Sequence, residues 1–327
     1  MPKPRGAATR SAAPRRAAAA ARATALTTAL ALLSGCAVGA TGPADVDDRQ
    51  RSDASGGRVV VATTFTILAD MVGRVGGDRV VVESVTTPGA DVHQYEPTVE
   101  DLKRVEGADL VVSNGLGMDD WLLRFIDGTD AAHLVTTDGI EPLPIRAGNY
   151  TGRPNPHAWM SPVDGARYVR AIAGALADLD PDGAAEYRAR AEDYVADLEE
   201  MAVRAREAVA SVPEDRRVLV TCEGAFSYLA RDLGLEELYL WPVNSENQGL
   251  PRQVTALIDR IREREIPAVF CESTVSDAAM EQVAAETGSR LAGLLYVDSL
   301  SGPTGPVPTY LDLLDHDLET ITRELTS

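Results

Sequence analysis

Several chemistries are missing from this sequence. It contains no HExxH, no GxSxG and no P-loop, and so lacks the common local signatures of zinc proteases, serine hydrolases and nucleotide-phosphate enzymes. Basic residues are in the minority, with 31 Lys and Arg against 50 Asp and Glu and a net charge of -19. That imbalance argues against nucleic acid and anionic membrane surfaces as direct ligands, and it is compatible with a cation. Histidine is scarce: His93, His133, His157 and His316 are the four in the chain. The Ala/Leu-rich stretch at residues 23–33 is too short and too small-sided for a good transmembrane helix.

What is present begins with a processing signal. Residues 1–35 hold six basic residues and no acidic one, so without them 25 basic residues face 50 acidic ones. The apolar stretch ends in Leu33-Ser34-Gly35-Cys36, which resembles the bacterial lipobox, where cleavage leaves the cysteine as a lipid-bearing N-terminus. Residues 1–36 therefore read as a signal peptide with Cys36 as lipidation site. Residues 37–57, rich in Gly, Ala, Asp and Ser without an apolar period, read as a flexible tether.

From Arg58 the grammar is strand, helix, strand. Arg58–Phe65, Val80–Thr87, Asp109–Asn114 and Leu134–Thr137 are β-branched or apolar runs, with helical patterns between them. Thr98, followed three residues later by Asp101, marks a helix start. From Asp180-Pro181-Asp182 to about Val212 no proline and no glycine after Gly183 interrupts a helical pattern carrying Tyr187, Ala191, Tyr194, Leu198, Met201 and Ala205. A helix of roughly 30 residues, about 45 Å long, exceeds one small lobe and reads as a strut, with a packing helix inside one domain as the alternative. Strands are then expected at Arg217–Thr221, Leu238–Val243, Ala268–Cys271 and Arg290–Val297. The fold class is α/β: two lobes, each a parallel sheet flanked by helices, joined by a single long helix. The expected limits are 58–180 for the first lobe, 181–213 for the helix and 214–327 for the second.

Ligand groups gather at strand carboxyl ends in such folds. Four residues stand there: His93 and His157 on Pro-punctuated loops of the first lobe, Glu223 and Asp298 on the second. Placed across a cleft, two imidazoles and two carboxylates suit a divalent metal, with the site at the lobe interface. His133 and His316 lack such company and read as structural or solvated. Trp159 reads as packing beneath the His157 loop, and Glu246 as part of an exposed polar loop.

The motifs GADVHQYEP at 89–97, NPHAWMSP at 155–162, EGAFSYLARDLGL at 223–235, ESTVSD at 272–277 and LYVDSLS at 295–301 occur in this order. Together they resemble the cluster A-I (cluster 9) metal-binding lipoproteins of bacterial ABC importers. The resemblance covers residues 58–327 and is nearest the manganese or iron/manganese subgroup typified by pneumococcal surface antigen A. It implies the ligands His93, His157, Glu223 and Asp298. It further implies Mn2+ as cargo with Fe2+ or Zn2+ possible, no enzymatic activity, and a partner permease with its cytoplasmic ATPase. The protein is then an exported monomer, lipid-anchored to the outer face of the cell membrane or in the periplasm. Zinc members commonly place His where Glu223 stands and carry a His/Asp-rich loop before the second motif; residues 141–156 contain no His. Asn155 stands where Asp is frequent, and little consequence is expected from that change. A zinc-specific receptor, a metallohydrolase and a surface adhesin are the alternatives. Once Cys36 is lipidated, Cys222 and Cys271 remain, both at ends of expected parallel strands in a compartment outside the cytosolic thiol pool. They are expected to form a disulfide, the alternative being two buried free thiols.

Overall fold

A computed structural model describes residues 56–126, 128–244 and 250–326. The signal region with Cys36, residues 37–55 of the tether, and Glu246 lie outside these described residues. Among the described residues, no helix is long and apolar enough to cross a membrane.

The first lobe is built on four parallel strands, β1 (Val59–Thr63), β2 (Val80–Ser84), β3 (Leu110–Ser113) and β4 (Ala132–Val135), in the order β2-β1-β3-β4. Strand side chains alternate between faces, and here the alternation divides the core. Val61, Leu110 and Val112 face one buried cluster, while Ala62 and Val111 face another. Helix α1 (Thr66–Gly76) covers the first face with Ile67, Leu68, Met71, Val72 and Val75, a stripe at helical spacing. Gly77, at φ 56°, stops it. Helices α2 (Val99–Glu106) and α3 (Asp120–Ile126) cover the other face through Val105, Leu122 and Ile126. The expected start of α2 is a reciprocal capping box: Thr98 accepts from the Asp101 N–H, and Asp101 accepts from the Thr98 N–H.

Helix α4 (Pro162–Leu179) starts on Ser161, whose hydroxyl accepts from the Val163 and Asp164 N–H groups. The long helix follows. Pro181–Gly183 is a 3-10 turn, and α5 runs from Ala184 to Ala210, 27 residues or about 40 Å. It is shorter at its start than expected because Asp180 accepts from Gly183 N and holds the proline turn separate. Tyr187, Ala191, Tyr194, Leu198, Met201 and Ala205 are all buried. One continuous apolar cluster runs from Val61 and Met71 through Tyr194 and Leu198 to Phe226, Leu295 and Tyr310. The strut is therefore packed on both lobes, each buried Leu or Tyr contributing on the order of 1.5–3 kcal/mol.

The second lobe contains β5 (Val218–Glu223), α6 (Ser227–Leu233), β6 (Glu236–Trp241), α7 (Pro251–Arg264), β7 (Ala268–Glu272), α8 (Ala278–Thr287), β8 (Arg290–Leu295) and α9 (Tyr310–Leu325). Its strands form two hydrogen-bonded parallel pairs, β5–β6 and β7–β8, rather than the single sheet expected. The inner strands β5 and β7 lie side by side and are joined by the Cys222–Cys271 disulfide, with Cα atoms 4.9 Å apart. A register shift between Val269 and Cys271 sits beside it.

Two strands begin earlier than their apolar runs suggest. β4 spans Ala132–Val135 and not Leu134–Thr137: Thr136 and Thr137 still donate to Ser113 O and Asn114 O beside β3, but the chain turns there, with Asp138 N donating to Val135 O and Ile140 N to Thr137 O. β6 opens on Glu236 and Glu237, which pair with Val218 and Leu219. Glu236 is neutralised by Arg260 and Arg264, and Glu237 accepts from Phe226 N and the Ser227 hydroxyl.

Candidate metal centre

His93, His157, Glu223 and Asp298 meet at the lobe interface. Each offers a ligand atom, and these atoms all lie within 4.8 Å of one another. His93 Nε2 is 3.0 Å from His157 Nε2, 3.4 Å from Glu223 Oε1 and 3.7 Å from Asp298 Oδ1. His157 Nε2 is 3.6 Å from Glu223 Oε1 and 3.9 Å from Asp298 Oδ1. His157, Glu223 and Asp298 are fully buried, and the His93 side chain keeps 6% of its exposure.

Local chemistry sets each side chain in place. The His93 loop follows β2 and is shaped by Asp91, which accepts from the His93 N–H and the Gln94 amide. It is tied to the other lobe where Gly89 N donates to Ser299 Oγ at 2.7 Å. His157 precedes a 3-10 turn, Ala158–Met160, after a loop pinned back on itself by Ile145 N to Arg153 O and Gly152 N to Ile145 O. Glu223 is the last residue of β5, and Asp298 lies just beyond β8.

Asn155 fixes the tautomer of His157. Its Nδ2 donates to Gly224 O at 2.7 Å, and a carbonyl can only accept, so Oδ1 faces the imidazole. That oxygen accepts from the His157 N–H and from Nδ1 at 2.8 Å. The neutral ring therefore carries its proton on Nδ1 and turns the Nε2 lone pair toward the cluster, the form a metal requires. The change from Asp to Asn, expected to matter little, thus places a bridge between the His157 loop and the residue that follows Glu223. Trp159 packs beneath the loop as expected, its ring 5.1 Å from His157 and its Nε1–H donating to Val297 O.

Behind the carboxylates stand residues the sequence pattern did not single out. Asn244 donates its backbone N–H to Glu223 Oε1 at 2.6 Å and its side-chain amide to Asp298 Oδ2 at 3.2 Å. Thr274 donates to the same Asp298 oxygen, and Glu272 Oε2 accepts the Glu223 N–H. Asn244 opens a run of polar residues that reads as exposed, yet it is buried. The remaining histidines serve elsewhere: His133 Nε2 pairs with Ser113 Oγ, and His316 Nε2 with Leu294 O.

Glu223 Oε2 and Asp298 Oδ1 are buried without any hydrogen-bond partner. Burial, together with the neighbouring Asp298 and Glu272 charges, holds the Glu223 carboxyl well above its ordinary range. Burial pushes Asp298 up to about 6 and Glu272 to about 8. Burial, then the nearby His93, holds His157 well below the usual imidazole value. Bare carboxylate oxygens packed beside the unprotonated Nε2 of His157 are costly by themselves and are relieved by a cation. The donor set, two nitrogens and carboxylate oxygens, suits a first-row divalent ion.

Comparison with known proteins agrees with this chemistry. The chain is 45% identical over 294 residues to the iron-binding protein YfeA of Yersinia pestis, covering 90% of this chain and 92% of that one. It is 32% identical over 296 residues to the manganese-binding lipoprotein MntA of Halalkalibacterium halodurans, covering 90% and 95%. The Mn-bound periplasmic metal-binding protein of Candidatus Liberibacter asiaticus superposes with a TM-score of 0.77 at 36% identity, covering 82% of this chain and all of that one. With residues 61–324 matching the family described as "ZnuA: Zinc-uptake complex component A periplasmic", the chain belongs to that family of metal-uptake binding proteins.

Proposed function

We propose that this protein captures Mn2+, with Fe2+ as a second cargo, outside the cell membrane and delivers it to the permease of an ABC importer. His93, His157, Glu223 and Asp298 are its ligands. One observation carries the reading: two imidazoles and two carboxylates converge from both lobes on a buried point, with Glu223 Oε2 and Asp298 Oδ1 left unpaired. Two carboxylates neutralise a divalent charge and raise the oxygen share, which suits manganese and iron. The names of the iron- and manganese-binding relatives support the same choice. Zinc is the second reading, favoured by the description of the matched family. Zn2+ is expected to bind the isolated protein at least as tightly as Mn2+, because the first-row order favours it for such ligands.

On this reading Cys36 carries the lipid anchor and residues 37–57 tether a monomer of two lobes, 58–180 and 214–327, on the helix 181–213. Metal content of protein purified from its own host in metal-replete medium tests the cargo; zinc alone would overturn manganese. Calorimetry on metal-free protein tests the ligands: Mn2+ binding unchanged by His93→Ala would remove that residue, and with it this reading of the site.

A further inference from the structure

We infer that Asn244 determines metal selectivity by holding Asp298 to a single ligand oxygen. The inference rests on the metal-receptor reading above and goes beyond it, because Asn244 is not itself a ligand. Its amide orientation follows from its neighbours. The Trp241 indole N–H donates to Asn244 Oδ1 at 2.9 Å, and an indole nitrogen cannot accept. Nδ2 must therefore face Asp298, where it donates to Oδ2 at 3.2 Å. Thr274 donates to that oxygen at 3.3 Å. Oδ2 is thus engaged twice, while Oδ1, 3.7 Å from His93 Nε2 and 3.9 Å from His157 Nε2, has no hydrogen-bond partner. Asn244 and Trp241 are each 2% exposed, so water does not replace these bonds readily.

The consequence is a ceiling on coordination number. Asp298 can present Oδ1 to an ion but cannot turn both oxygens inward without breaking two hydrogen bonds. Zn2+ is content with four ligands, whereas Mn2+ favours more oxygen and a six-fold shell. A carboxylate kept monodentate therefore favours the ion that needs fewer ligands, and releasing it favours the ion that takes more. Asn244→Ala isolates this effect, because the backbone N–H that holds Glu223 Oε1 survives the substitution.

The test is competition between Mn2+ and Zn2+ for the metal-free full chain, read as the ratio of the two affinities, with the electron paramagnetic resonance line shape of bound Mn2+ as a second readout. In Asn244→Ala, Zn2+ affinity is expected to fall by about tenfold, in the range seen when a hydrogen bond to a ligand is lost. Mn2+ is expected to lose less, moving the ratio toward Mn2+ by roughly threefold or more with an altered line shape. Trp241→Phe, which keeps a ring but removes the N–H that orients the amide, is expected to move the ratio the same way by less. It carries the test if Asn244→Ala does not fold. Equal losses for both ions, an unchanged ratio or a shift toward Zn2+ would overturn the inference while leaving the receptor intact. Wild-type protein that binds neither ion would instead overturn the proposed function, and the inference with it.

Discussion

Buried carboxylates of the two lobes are treated in opposite ways. In the first lobe Asp119 accepts from the Thr64 hydroxyl at 2.9 Å, Asn114 N at 2.6 Å and Gly115 N at 3.0 Å. Gly115 takes φ 87°, which lets the chain fold its N–H onto the carboxylate. Both Asp119 oxygens are satisfied, and the bonds pin the ends of β1 and β3. In the second lobe Glu223 and Asp298 each keep one oxygen without a partner. All three carboxyls are raised above their ordinary range by burial. Burial and a raised pKa therefore do not separate a structural carboxylate from a binding one. Missing donors narrow the choice without deciding it, since Glu272 Oε1 and Asp317 Oδ2 are bare as well; what sets Glu223 and Asp298 apart is that each meets the two imidazoles of the other lobe.

The sharpest break of this comparison is expected from Asp298→Asn. The amide oxygen still accepts from Asn244 and Thr274, but the charge is gone. Mn2+ affinity is expected to fall by more than about a hundredfold, beyond what loss of an outer hydrogen bond costs. The metal-free protein should melt at the same temperature or higher, since an unpaired buried charge has been removed. Calorimetry and thermal melting check both halves, and a destabilised apo protein would contradict the contrast.

Next in size is the staple between β5 and β7. The cysteines close a loop of 49 residues, so Cys222→Ser with Cys271→Ser is expected to cost about 3–4 kcal/mol by denaturant unfolding. Because Cys222 directly precedes Glu223, Mn2+ affinity should fall as well. An unchanged affinity would show that the second-lobe carboxylates are held without the staple.

Asp119→Ala should behave as the mirror image of Asp298→Asn. Three buried donors lose their acceptor, at a cost of about 3 kcal/mol in stability. The four proposed ligands are untouched, so the folded fraction should bind Mn2+ within a few-fold of wild type. Loss of binding with full stability would reverse the roles assigned to the two groups.

The smallest effect is that of pH. Glu272, at about 8, and Asp298, at about 6, bind protons more readily folded than unfolded, where 4.5 and 3.8 apply. The metal-free protein should therefore gain stability as pH falls from 8 to 6.5. Below 6.5 His157, held neutral by burial, opposes the gain because the unfolded imidazole takes up a proton that the folded one refuses. Mn2+ affinity should fall over the whole range, since the ion must displace protons from the carboxyls. Melting curves with chelator and with Mn2+ should move in opposite directions between pH 8 and 6.5.

Much of this organisation was legible in the sequence. The β-branched runs gave the strands, and their ends carried the four converging residues. The two remaining cysteines indicated the staple. What stayed hidden was polar and local. Glu236 and Glu237 disguised the start of β6, because the arginines and the helix start that accommodate them come from elsewhere in the chain. Asn244 looked like the first residue of a surface loop; only the fold reveals that Trp241 fixes its amide and that both carboxylates lean on it. Asn155 was visible as a departure from a pattern, but its donation to Gly224 O depends on the second lobe being closed against the first. Supporting hydrogen bonds of this kind have no spacing rule, since they join residues far apart in the chain.

The placement of the indoles makes the molecule its own optical instrument. Of three tryptophans, Trp159 stacks near His157 and holds the strand end before Asp298, while Trp241 holds Asn244. Trp121 packs against Tyr95, two residues beyond His93. Two of the three fluorophores therefore touch residues that must adjust when an ion arrives, and both are shielded from solvent quenchers. Ultraviolet emission of the unlabelled protein is expected to follow filling and emptying in real time. Trp121→Phe would show how much of the signal comes through the His93 loop rather than from the two indoles beside the cluster.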